Sequence, residues 1–256
     1  VITVGPPLRD PNRPAWGLLE VVLASVGFFF ATLVAAALGY AIAHQVPGLR
    51  NLGFEKLLTD ARVAVPVQTG AYVALIGLMV ALVSLRSHEP FLKEISWNAP
   101  NRKRVWAAVL VGLALVGVAT LGETLFARWM PKSVPIENYF RDTTSAYLLA
   151  FFGIFIAPPI EELYFRGFLY PAIARWTGIW PAVVITSSTF ALLHGSQLAF
   201  AWVPVSIIFI VGTALNIVRV KTNSVATGVV AHMIYNFILM LGTFIGTHGF
   251  RKFDNV

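Results

Sequence analysis

The run Ala157-Pro158-Pro159-Ile160-Glu161-Glu162-Leu163-Tyr164-Phe165-Arg166 sets three ionisable side chains within six positions of an otherwise apolar stretch, Ser145 to Tyr170. A stretch of that length spans a hydrocarbon core of about 30 Å, for which roughly 20 apolar residues suffice. On an insertion scale each charge near the centre of such a helix costs roughly 2.5 to 3.5 kcal/mol, so three unpaired charges cost about 8 to 10 kcal/mol. Spacing offsets part of this. Glu162 and Arg166 stand at i and i+4 on one helical face and pair, while Glu161 lies about 100° around the helix. Pro158 and Pro159 are expected to break the helix just before the acids and to free backbone carbonyls. At membrane depth that is tolerated only beside protein or a water-filled cavity. Glu161 is therefore the carboxylate expected to face water.

The rest of the chain agrees with a bilayer setting. Of 256 residues, 57% are hydrophobic and only 12% charged, with a mean hydropathy of +0.74. Soluble domains carry about 25% charged residues, so a water-soluble globule, a disordered chain and a nucleic-acid-binding domain are all poor readings. The net charge of +7 does not point to nucleic acid, because the basic residues punctuate apolar runs instead of forming one stripe. No cysteine is present, which excludes disulfides, a thiol nucleophile and cysteine-ligated metal.

Cutting the chain where charge and proline cluster gives seven spans: Trp16 to His44, Arg62 to Leu85, Val105 to Phe126, Ser145 to Tyr170, Ile179 to His194, Ala201 to Val218, and Val225 to Ile245. An eighth, amphipathic helix fits within Asn51 to Asp60. The expected fold is an all-α, polytopic membrane helical bundle of about seven to eight transmembrane helices with a polar intramembrane cavity. Residues 1–15 read as a proline-rich segment retained on the cytoplasmic side, 16–246 as a single transmembrane domain, and 247–256 as a tail. Lys and Arg number ten on the N-terminal face and eight on the other, which leans towards a cytoplasmic N-terminus.

Two histidines share the unusual placement of Glu161: His194 in the fifth span and His232 in the seventh, the latter followed at i+4 by Asn236. Depth permits them to meet. At 1.5 Å per residue Glu161 lies about 14 Å, His232 about 12 Å and His194 about 18 to 20 Å from loops on the same expected face. A carboxylate near an imidazole in a confined, hydrated cleft can take a proton from water. Donors on His232 and Asn236, held ready in low dielectric, can stabilise the oxyanion that amide hydrolysis develops. Peptide-bond hydrolysis inside the membrane fits these parts.

At this point the sequence resembles a known family. Glu161-Glu162-x-x-x-Arg166, Phe190-x-x-x-His194 and His232-x-x-x-Asn236, in that order, look like the three motifs of the CPBP family, also called Abi or CAAX-protease-like intramembrane proteases, related to the Ras-converting endoprotease. The resemblance covers roughly 145–241 and matches nothing in the first three spans. It implies that Glu161 with His194 activates water, that His232 and Asn236 hold the oxyanion, and that Glu162, Arg166 and Phe190 support them. No cofactor is required on this reading. Because family members are often described as metalloproteases, the alternative is that Glu161, His194, His232 and Asn236 ligate a divalent metal such as zinc. The His-Glu-x-x-His zinc signature is absent. The expected partners are the lipid bilayer and a membrane-associated protein or peptide substrate, with no nucleic acid, in the inner membrane of a prokaryotic cell. Two other readings stand beside this one. A proton-coupled transporter also lines its path with intramembrane Glu and His, and a non-catalytic scaffold or immunity-type protein keeps a polar cluster for packing.

Overall fold

The computed structural model describes residues 14–251; the expectations for 1–13 and 252–256 lie outside them. Among the described residues the structure is helical, with no strand. Helix α1 (Leu18–Ala43) begins where Glu20 turns back to accept the Gly17 amide at 2.8 Å, satisfying one of the free amides of a helix start. The other Glu20 oxygen takes the Arg86 guanidinium at 2.7 Å, just beyond the end of α3 (Ala61–Ser84). The two helices therefore run antiparallel. Between them lies the short α2 (Phe54–Leu58), inside the stretch expected to hold an interfacial helix. Helix α3 starts on Asp60, whose carboxylate accepts the Arg62 amide at 3.0 Å. The Arg62 guanidinium bonded to that carboxyl holds it below the usual aspartate range. Close approach of the pair depends on missing side chains. A Cβ on Gly39 would collide with Val67, and one on Gly27 would lie 2.6 Å from Leu78 Cδ1.

A short α4 (Phe91–Glu94) leads to α5 (Arg102–Leu125), which packs along α11 (Val225–Gly246). The loop before α5 is tied to the start of α11, with Val225 donating its amide to the Ser96 carbonyl at 3.0 Å and Asn98 bonding the Asn223 carbonyl at 2.7 Å.

The acidic stretch lies in one continuous helix, Thr143–Thr177, built from α6 (Thr143–Phe151), a π-helical segment Phe152–Ile156, α7 (Ala157–Glu162), a second π-helical segment Leu163–Leu169, and α8 (Tyr170–Thr177). The prolines do not break it as the sequence suggested. Widening to i→i+5 hydrogen bonds absorbs them, and one freed carbonyl in each segment is caught from the side. Ala157 donates to Phe152 O, which leaves Gly153 O facing Pro158, a residue without an amide hydrogen. Asn236 on α11 fills that acceptor at 2.7 Å. The pattern repeats one segment later. Tyr170 donates to Phe165 O, the i+5 partner of Arg166 O is Pro171, and Arg219 Nε donates to Arg166 O at 3.2 Å.

Gly178, at φ +83°, turns the chain into α9 (Ile179–Gly195), followed by α10 (Trp202–Thr222). Among the described residues six helices are long and apolar enough to cross a membrane: α1, α3, α5, the continuous Thr143–Thr177 helix, α10 and α11. The remaining expected span is α9, whose 17 residues reach only about 25 Å. The chain is thus an integral, multi-pass membrane protein. Arg219 belongs to α10 and is buried, with its guanidinium near the Tyr170 ring and bonded to Asn223.

Candidate active site

Adjacent positions in α7 send Glu161 and Glu162 into different surroundings. Glu162 is fully buried, and its Oε1 accepts from Arg166 Nη1 at 2.8 Å and from His232 Nδ1 at 3.0 Å. Arg166, equally buried, also donates to Gly212 O at 2.9 Å, and its guanidinium lies 4.7 Å from the centre of the Phe190 ring. Phe190 in turn packs against His194 at 4.5 Å and His232 at 6.0 Å between ring centres. The three supporting residues therefore form one buried wall behind both imidazoles. Glu162 also needs room on α11. A Cβ at Gly228, one turn before His232, would stand 2.8 Å from Glu162 Oε2.

Glu161 faces the other way, into a cavity of about 900 Å³ that His194, His232 and Asn236 also line. Glu161 Oε2 lies 3.8 Å from His232 Nε2. His194, in the last turn of α9, sets its Nδ1 at 2.8 Å from the Phe190 carbonyl. Since a carbonyl or carboxylate oxygen can only accept, Nδ1 carries a hydrogen in both histidines, and Nε2 is the ring atom left to face the cavity chemistry. Asn236 uses one amide hydrogen on Gly153 O and keeps a second. All four residues singled out from the sequence thus border one space, provided by α7, α9 and α11.

The sequence reading missed the contribution of the first helices. Tyr72 on α3 donates its hydroxyl to Glu161 Oε1 at 3.2 Å. Ser25 on α1 shares a hydrogen bond of 2.6 Å with Tyr164, and both line the cavity. A signal was present: Gln68 and Tyr72, both lining the cavity, are polar at i and i+4 in an apolar span. Asn216, buried on α10, bonds Ser187 at 3.0 Å and Gly212 O at 3.1 Å and steadies the wall under Arg166.

Among the described residues no three His, Asp or Glu side chains come together to hold an ion. Glu161 is engaged by Tyr72, and the Nδ1 atoms of both histidines are turned to protein oxygens.

Residues 143–238 match the model of a family described as type II CAAX prenyl endopeptidase, Rce1-like. Comparison with the curated proteins and with the solved structures gives no match. The matched segment runs from the start of α6 into α11 and contains all three motifs that wall the cavity. That match agrees with the resemblance of the three motifs to the CPBP, or CAAX-protease-like, family.

Proposed function

We propose that the protein is an intramembrane endopeptidase that hydrolyses a peptide bond of a membrane-associated protein. The observation that carries this reading is a carboxylate, Glu161, within 3.8 Å of an imidazole, His232, inside a 900 Å³ cavity that also holds His194 and Asn236. Glu161 accepts a proton from a water molecule while its oxygen attacks the substrate carbonyl carbon. The lone pair on His194 Nε2 accepts the other hydrogen of that water and fixes its direction. Negative charge moves onto the former carbonyl oxygen, where the second amide hydrogen of Asn236 meets it. His232 adds a donor at Nε2 when its ring carries both hydrogens, with Glu162 opposite the charge at Nδ1. As the C–N bond breaks, Glu161 returns the proton to the leaving amine. A positioned general base is worth about 10² to 10⁴ in rate, and an oxyanion donor about 10² to 10³.

The cavity wall is largely aromatic and aliphatic, with Phe28, Phe29, Phe152 and Leu239 among its residues. That lining suits apolar groups entering from lipid. The assay uses the full chain in proteoliposomes with a C-terminal CAAX-type peptide, offered with and without a prenyl group. Glu161→Gln is expected to lower turnover about 10²- to 10⁴-fold. Undiminished cleavage by that variant would overturn the reading. On the glutamate mechanism, incubation with a chelator should leave turnover unchanged. A chelator-sensitive enzyme restored by one divalent ion would replace the glutamate mechanism with a metal-dependent one.

A further inference from the structure

Glu161 has two oxygens, and the structure treats them differently. Oε2 faces His232 Nε2 across 3.8 Å, while Oε1 is held by the Tyr72 hydroxyl at 3.2 Å, the one hydrogen bond to the Glu161 carboxylate among the described residues. A glutamate side chain left to itself turns broadly about its last torsion, so either oxygen could face solvent or neither. Tyr72 is itself immobilised. Its ring is stacked between Phe28 of α1, at 6.0 Å and 20° between planes, and Phe152 of the first π-helical segment, at 5.9 Å and 12°. The hydroxyl is therefore delivered from a rigid stack anchored on two helices, and it lies on α3, outside the segment that matches the family.

We propose that Tyr72 is a positioning residue for the general base: by occupying Oε1 it fixes the carboxylate plane and leaves Oε2 as the oxygen that receives the proton from water. The inference rests on the hydrolase reading above. A charge-assisted hydrogen bond that sets the orientation of a reacting group is worth about ten- to hundredfold in rate. Tyr72→Phe keeps both ring stacks and removes only the hydroxyl. In proteoliposomes it is expected to lower kcat about ten- to hundredfold, with KM within about twofold of the parent and an unchanged melting temperature. In a Glu161→Ala background the same substitution should produce no further loss from the residual rate, because its effect passes through Glu161. An unchanged kcat, a loss that appears as a raised KM or a lowered melting temperature, or an equal additional loss in the Glu161→Ala background would each overturn the role of Tyr72. The two levels separate cleanly. Full activity in Glu161→Ala removes the hydrolase reading itself, whereas an inactive Glu161→Ala beside a normal Tyr72→Phe removes only the positioning role.

Discussion

Glu161 and Glu162 are chain neighbours with opposite duties because about 100° of helix rotation sends one into the cavity and the other into protein. Glu162 is paired with Arg166. Both groups are fully buried, and their contact is 2.8 Å. Glu162→Gln removes one partner and leaves a guanidinium buried without its counter-charge, so it should cost about 3 to 5 kcal/mol, measured by denaturation in detergent. Gly228→Ala probes the same carboxylate more gently. Its new Cβ would press on Glu162 Oε2 at 2.8 Å, forcing the group away from His232 Nδ1. Turnover should fall about 10²-fold, as expected for a misplacement of about 1 Å, while the melting temperature changes little. The Glu162–Arg166 pair was legible in the sequence because both partners lie one turn apart in one element. The bond from His232 to Glu162 was not, since no local periodicity encodes which face of α11 meets α7.

At the level of the helix, the two π-helical segments explain how three prolines sit inside a membrane-crossing rod. Each widened turn lets the chain pass Pro158 or Pro171, and in each a side chain from another helix satisfies a freed carbonyl: Gly153 O by Asn236, Arg166 O by Arg219. The sequence showed the prolines and the polar residues separately, and a break was the natural expectation because an α-helical i→i+4 ladder cannot accommodate them. What it could not show was the change of hydrogen-bond register that links the two. Asn236 therefore has a structural duty besides the one proposed for it in hydrolysis. Pro158→Ala restores an amide hydrogen that can reach Gly153 O. Asn236→Ala should thus destabilise the parent more than it destabilises the Pro158→Ala variant, with a coupling of about 1 kcal/mol in a double-mutant cycle of unfolding. A coupling of zero would show that the prolines do not create the acceptor that Asn236 fills.

The whole molecule assembles its cavity from a family segment, residues 143–238, and from helices outside it. Hydropathy made the bundle legible, and three ordered motifs made four cavity residues legible. The packing of α1, α3 and α5 was not, because apolar helices in lipid associate through small residues and shape, with no polar signature to read. Gly112 on α5 shows what that packing does. A Cβ there would lie 2.8 Å from the Ala231 carbonyl oxygen and 2.8 Å from Ile234 Cβ, the residues on either side of His232. A backbone carbonyl cannot rotate away as a leucine tip can, so Gly112→Ala must push α5 off α11 or tilt α11 and its two site residues. The expected cost is about 1 to 3 kcal/mol of stability, typical of overpacking, together with reduced turnover in the peptide assay. Gly117 lies on the same helix, and a Cβ there meets nothing within 4 Å, so Gly117→Ala should change neither quantity. Loss at Gly112 beside silence at Gly117 would tie the geometry of His232 and Asn236 to a helix that carries no motif. Silence at both would mean that α5 does not press on α11 at Gly112.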